Sequence, residues 1–285
     1  MDQNLTTTTP DRSERVVMLK PTTGWISLNL GDLWRYRELI YFLTWKDILV
    51  RYKQTLLGAA WAIIQPLMQM VVFNFLFGNM ADISTGEVPR TIFTFSALLP
   101  WNLFSKSLSD ASRSLVTSRS MITKVYFPRL VIPLASILSG LVDFLIAFVI
   151  LVGMMIYYQV SVSTTLWLLP LVILAALVLA LGVGLWFSAW NLHYRDVRYF
   201  IPFLTQFWML ATPIAYPLSE IPEQWQTLYM VNPMVGVVES FRWALLGGDP
   251  VPPLALILTL VISVVVLISG LFYFRRMERT FADTV

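Results

Sequence analysis

Few side chains in this sequence have both the type and the setting for chemistry, and they fall in three places. The sole histidine, His193, stands beside Arg195, Asp196 and Arg198. A membrane-bound transferase could place a general base there; the plainer reading is a polar turn at a membrane surface. Asp143 is the one acid deep inside a long apolar run, where inserting a carboxylate costs about 2.5–3.5 kcal/mol. It must face protein or a watery path. A hydrogen-bonding role, to Ser136 or Ser139 about a turn away, explains it better than a proton relay, which would need ionisable partners deep in other apolar runs. The third place is 106–129, KSLSDASRSLVTSRSMITKVYFPR, where Lys106, Arg113, Arg119, Lys124 and Arg129 face one acid, Asp110. Between Ser118 and Tyr126 charges alternate with Met121, Ile122, Val125 and Tyr126, as in a short amphipathic helix ending before Pro128.

Other chemistries are excluded or weak. No G-x-x-x-x-G-K-[ST] and no Gly-Lys pair occurs, so the chain has no P-loop with which to cradle nucleotide phosphates. Gly182-Val183-Gly184 begins like a dinucleotide fingerprint, but Phe187 stands where the third glycine belongs. Close helix packing is the better reading. With no cysteine there is no disulfide framework, thiol nucleophile or thiolate metal site. No metal site or cofactor is expected in this chain.

The elements that position these residues follow from composition. The chain has 285 residues, of which 57% are apolar, 14% aromatic and only 13% charged, which is the make-up of an integral membrane protein. Residues 1–31 are polar and irregular. No cleavable signal is read there, because the first long apolar run begins at Leu56. Residues 32–53 mix charged and bulky types, with Tyr36, Leu39, Ile40, Leu43 and Val50 at helical spacing and Trp34, Tyr41, Trp45 and Tyr52 suited to headgroup level. This predicts an interfacial helix on the cytoplasmic leaflet.

The region 54–276 then reads as six spans. Leu56–Phe77 is uncharged and long enough to cross, with Pro66 bending it. Span two starts near Thr91 and continues as helix through Ser112. Leu130–Tyr158 and Leu166–Trp190 are spans three and four, the latter with Ala180, Gly184 and Ser188 on one close-packing face. Span five runs from Tyr199 to about Tyr216, with prolines at 202 and 213, and Leu254–Phe274 is span six. Between the last two, 217–253 is a hairpin: Asn232-Pro233 reads as a cap and first helical residue, Gly247-Gly248 as a stop. A helix of about 14 residues is too short to cross, so it is read as re-entrant on the outer side. The expected fold is therefore all-α integral membrane, with six transmembrane helices, an N-terminal cytoplasmic interfacial helix, and re-entrant periplasmic gate helices between spans five and six. Residues 277–285 form a cytoplasmic tail. With both termini inside, all of the 20 Lys and Arg residues except Arg90 and Arg242 are cytoplasmic. The basic balance reports topology, and no nucleic-acid partner is implied.

Several patches carry a family resemblance. Thr44-Trp45-Lys46-Asp47-Ile48-Leu49-Val50-Arg51-Tyr52-Lys53-Gln54-Thr55-Leu56-Leu57-Gly58 runs on to Trp61 and Gln65-Pro66. Further patches are Tyr126-Phe127-Pro128-Arg129, Tyr194-Arg195-Asp196-Val197-Arg198, Thr212-Pro213-Ile214-Ala215-Tyr216-Pro217, Asn232-Pro233-Met234 and Phe241-Arg242-Trp243-Ala244-Leu245-Leu246. Together, and in this order, they resemble the polysaccharide-export permeases, the membrane subunits of type-2 ABC exporters for O-antigen, capsule and teichoic acid.

The resemblance implies a bacterial inner-membrane homodimer that moves undecaprenyl-linked polysaccharide, with a dimeric nucleotide-binding ATPase below supplying ATP and Mg chemistry. It implies that Ser118, Met121, Ile122, Thr123, Lys124 and Tyr126 dock into that ATPase. A path flanked by spans one and five would be lined by aromatics that stack on sugar rings, drawn from Trp61, Phe73, Trp101, Phe203, Phe207 and Trp208. Trp225, Tyr229, Glu239 and Arg242 fall in the family's periplasmic gate. The competing readings are a type-2 ABC permease for a drug or lipid, and a membrane enzyme acting on polyprenyl-linked sugars through His193 and Asp196.

Overall fold

The computed structural model describes residues 30–53, 58, 60–80, 88–248, 250–278 and 281. The irregular start expected over most of 1–31, and the beginning of span one at Leu56, lie outside the described residues. Those described are all helical where they are regular. Among the described residues, four helical stretches are long and apolar enough to cross a membrane: Ala60–Phe77, Val131–Tyr157, Leu166–His193 and Pro253–Glu278.

The N-terminal helices α1 (Leu30–Arg35) and α2 (Arg37–Lys53) occupy the expected interfacial segment. Span one is α3 (Ala60–Asn74), which contains Pro66 and passes into a π-helical turn, Phe75–Met80. Its neighbour α4 (Arg90–Thr117) starts directly after Pro89 and runs for 28 residues, about 42 Å at 1.5 Å per residue. A six-residue helix, α5 (Arg119–Lys124), follows it. Val125 is extended, and the chain turns into α6 (Val131–Tyr157). The helix α7 (Leu169–His193) has Pro170 in its first turn, where a missing N–H costs nothing.

Span five departs from the reading that carried it to Tyr216. Its helix, α8 (Val197–Leu210), stops after 14 residues, about 21 Å. From Ala211 the backbone leaves the helix, because Pro213 cannot donate to a preceding turn. The hairpin then supplies α9 (Glu223–Met230) and α10 (Pro233–Leu246). Asn232 caps α10 by accepting from the Met234 amide at 3.0 Å, and Gly247 ends it at φ +74°. Last comes α11 (Pro253–Glu278).

The helix at the centre is α4. It packs along α7 on one side and α6 on another, and α11 lies against the far face of α7. Small residues let the backbones approach. A Cβ on Gly184 would meet the Ala111 Cβ of α4 at 2.8 Å, and one on Gly182 would meet the Leu267 amide of α11 at 2.6 Å. The Gly-Val-Gly run thus serves two helix contacts at once, as the packing reading expects.

Two apolar cores result. The larger joins α4, α6, α7 and α10 around Phe95, Phe104, Phe144 and Phe241. The smaller lies at the other end of α4 and gathers Leu43 of α2, Leu115, Ile122 of α5, Phe127, Leu185 and Phe274. Phe281, in the segment read as a tail, is buried in it against Phe274 at a ring separation of 5.3 Å.

Candidate functional site

Asp143 does not use the serines proposed for it. Its carboxylate accepts from Arg51 Nη1 at 2.8 Å, pairs with Lys106 Nζ, and accepts from the Tyr52 hydroxyl. Arg51 also donates to Asp110 Oδ2 at 3.0 Å and to the Ser139 carbonyl and Oγ at 3.2 Å each. Ser139 is therefore held by Arg51, and its own hydroxyl donates to the Ser136 carbonyl at 2.7 Å. Burial, and then the hydrogen bond to Asp143, push the Tyr52 phenol up, so it stays a donor at neutral pH. The end of α2 is thereby tied to α4 and α6 by two cations on two acids. Lys106, read from the sequence only as one of the cations of 106–129, belongs to this network.

The network forms one end of a cleft of about 290 Å³ between α3, α4 and α6, lined in part by Trp61, Gln65, Asn102, Lys106, Ser109, Asp110 and Asp143. Trp61 and Gln65 also border a more open apolar groove between α3 and α8, which Gln69, Phe73 and Met209 continue. The Asn102 amide donates to Gln69 Oε1 at 2.9 Å where the two cavities adjoin.

The aromatics named for a path separate into groups. Trp61 and Phe73 line these cavities. Phe203 and Phe207 lie stacked and exposed on α8, ring centres 6.5 Å apart. Trp208 is half-buried, its indole N–H given to Asn232 Oδ1 at 2.8 Å and its ring set edge-on to Phe104. Trp101 is 2% exposed, packed in the larger core.

The segment 118–126 presents two faces. Ile122 is 7% exposed and sits in the smaller core, with Met121 packed partly against it. Ser118 is half-buried, accepting from the Met121 and Ile122 amides through its carbonyl. Thr123, Lys124, Val125 and Tyr126 face outward, Tyr126 with 80% of its surface exposed. The outer face is thus narrower than the residue types suggest, because Ile122 points inward.

In the hairpin, Arg242 is a buried hub. It pairs with Glu239 at 2.9 Å, donates to the Pro213 and Ile214 carbonyls at 2.8 and 2.6 Å, and lies 3.8 Å from the Phe93 ring centre. One guanidinium thereby holds the turn after α8 against the start of α4 and against α10. Trp225 is exposed on α9 and Tyr229 half-buried. At the other end, His193 uses Nδ1 on the Ala189 carbonyl of its own helix at 3.2 Å, while Arg195, Asp196 and Arg198 are exposed. Nothing in that turn converges on a shared point, as a catalytic base and its partner would. Among the described residues no group of His, Asp and Glu is arranged to hold a metal ion.

A helical bundle with several stretches long and apolar enough to cross a membrane defines a multi-pass membrane protein. Residues 38–246 match the ABC-2 type transporter family, and the chain belongs to it. It is 28% identical over 257 residues to the O-antigen export system permease protein RfbA of Klebsiella pneumoniae, covering 90% of this chain and 96% of that one. The RfbA of Myxococcus xanthus is likewise 28% identical, over 89% of this chain and 98% of its own. The polysialic acid transport protein KpsM of Escherichia coli is 24% identical over 82% of this chain and 91% of its own.

Proposed function

We propose that this chain is the permease subunit of an ATP-driven exporter that carries undecaprenyl-linked polysaccharide, of the O-antigen, capsule or teichoic-acid kind, from the cytoplasm across the bacterial inner membrane. The observation that carries this is the similarity to O-antigen and polysialic acid permeases along most of both chains. Six crossings would be made by α3, α4, α6, α7, α8 with the turn after it, and α11, leaving both termini cytoplasmic. Two copies would pair so that α3 and α8 border the path.

ATP and Mg belong to a separate ATPase dimer, which would dock on the outward face of 118–126. The smaller core gives a route for the motion. Displacing Tyr126 moves Ile122 in that core, which also holds Leu43 of α2. The same α2 ends at Arg51 and Tyr52, tied to α4 and α6 beside the cleft. A shift of α2 is thus passed to the cleft wall, and Pro66 is a natural bending point in α3. On the outer side, α9 and α10 would form the gate that Arg242 fastens. The test is reconstitution with its partner ATPase. Export of lipid-linked glycan should need ATP and be blocked by vanadate, and export from vesicles lacking the ATPase would sink the proposal.

A further inference from the structure

The polar cleft does not follow from the need to cross a membrane, and its side chains are of one recognisable kind. On α4, Asn102, Lys106, Ser109 and Asp110 lie on one helical face and line the cleft together. Opposite them on α3 stand Trp61, largely exposed, and Gln65. Asn102 to Asp110 spans about 12 Å of helix at 1.5 Å per residue. An aromatic face across from a ladder of amide, hydroxyl, carboxylate and ammonium groups is the chemistry that holds a sugar ring. The ring's C–H face lies on the indole and its hydroxyls meet paired donors and acceptors.

The charges argue the same way. Two cations, Arg51 and Lys106, already meet two acids, Asp110 and Asp143. The cleft lining itself carries one cation, Lys106, against two acids, Asp110 and Asp143, so its wall offers a phosphate no surplus of positive charge; Arg113 acts on Asp110 from outside the lining. What remains is hydrogen-bonding capacity. Asp110 gives one oxygen to Arg51 and keeps the other; Lys106 has ammonium hydrogens beyond the pairing with Asp143; Asn102 donates to Gln69 and keeps its carbonyl oxygen. The volume, about 290 Å³, is at the small end of ligand pockets, so it suits a short stretch of glycan and not a folded polymer or a lipid tail.

We infer that this cleft is a glycan-reading subsite, in which Trp61 stacks on a sugar ring of the transported chain while Asn102, Lys106 and Asp110 bind its hydroxyls. The inference rests on the export function proposed above and assigns a place on this chain to recognition of the sugar itself, apart from the diphosphate and the lipid. Its ionic network gives it a second property. Asp110 serves both the sugar and, through Arg51, the tie to α2, while Lys106 meets the Asp143 that Arg51 also holds, so an occupied cleft and the position of α2 are linked.

The test uses the permease with its ATPase in lipid nanodiscs and exploits the absence of native cysteine. Ser109→Cys on one wall and Gln65→Cys on the other are alkylated with a maleimide, with Tyr157→Cys, about 21 Å farther along α6, as the control. Three probes are added: lipid-linked glycan extracted from the source strain, undecaprenyl diphosphate without sugar, and inorganic pyrophosphate. The glycan-bearing probe should slow alkylation severalfold at either wall and leave the control unchanged, and the two sugar-free probes should do neither. Trp61→Ala or Asn102→Ala should raise the glycan needed for half protection by about tenfold, the loss of one good contact. Equal protection by pyrophosphate would make the cleft an anion site and overturn the inference. Absence of protection at both walls, in complexes that still export the same probe, would overturn the subsite alone. If deleting the chain leaves the cell's surface glycan unchanged and the complex moves no glycan, the export function falls and the subsite with it.

Discussion

Replacing Arg51 by Met tests whether the ionic network holds α2 to the bundle. The substitution keeps a long apolar stem and removes the guanidinium that meets Asp143 at 2.8 Å, Asp110 at 3.0 Å and Ser139 twice at 3.2 Å. Hydrogen bonds to charged groups contribute about 1.5–3 kcal/mol each, so the two carboxylate bonds set an upper range of about 3–6 kcal/mol. Water screens part of this, since the Arg51 and Asp110 side chains keep 24% and 33% exposure. Asp143 also retains Lys106 and Tyr52. The expected loss is about 3 kcal/mol, the lower edge of what breaking a buried ion pair costs. In a chain of this size that lowers the unfolding midpoint by about 6–12 °C. Unfolding in detergent is irreversible for such proteins, so apparent midpoints are compared at one scan rate. Asp110→Asn alone and combined with Arg51→Met completes a cycle, and the pair should couple by about 1 kcal/mol. A shift below about 2 °C, or additivity within about 0.5 kcal/mol, would refute the claim that Arg51 ties α2 to α4.

Three further outcomes follow from other parts of the bundle. Ile122→Ala should cost about 2–5 kcal/mol of stability, as a buried branched side chain. Tyr126→Ala should stay within about 0.5 kcal/mol yet uncouple ATP hydrolysis from transport; equal effects on stability would mean that the two faces of 118–126 are misassigned. Arg242→Met should lower stability by about 3–5 kcal/mol and open the turn at 211–217 to protease. Arg242→Lys should not restore it, because an ammonium cannot reproduce the forked bonds to Pro213, Ile214 and Glu239; full rescue by Lys would argue against the hub. Gly236→Ala places a Cβ 1.9 Å from Thr259 Oγ1 and 2.7 Å from the Ala255 carbonyl. It should destabilise the α10–α11 contact by about 1–3 kcal/mol, and adding Thr259→Ala should recover only part, since the carbonyl stays. The measurement for all of these is the apparent midpoint, with ATPase activity added for Tyr126.

What the sequence made legible, and what it hid, divides along one physical line. Features decided within a single helix could be read directly. Asn232-Pro233 and Gly247 bound a 14-residue helix because capping and φ preference are local. Pro128 ends the helix after Lys124 for the same reason. Small residues in α7 implied close packing because spacing on one face is a local property. The helical extent of span five was read too far, because Pro213 was placed inside the helix and the backbone there leaves it altogether.

The ionic network was hidden for a different reason. Depth was assigned to each residue from the hydropathy of its own segment, so Asp143 seemed deep and alone while Arg51 and Lys106 seemed superficial. Yet both cations are long. Arg51 closes α2, which packs along α6, and Lys106 stands on α4, which also packs on α6. Their side chains reach an acid that lies three turns into its own helix from Val131. A carboxylate that is costly in hydrocarbon selects partners by reach, and reach depends on which helices are neighbours. The lone acid in an apolar run was therefore a sound signal, and its partners were to be sought among the long cations just outside the other spans. The same reasoning applies to Arg242, whose acid lies one turn away but whose carbonyl partners, after α8, come from 28 and 29 residues back. In both places a single guanidinium joins elements that hydropathy alone leaves separate, one beside the cleft and one at the outer hairpin. On the export function proposed above, those are the two positions at which a path between α3 and α8 would be held shut and released.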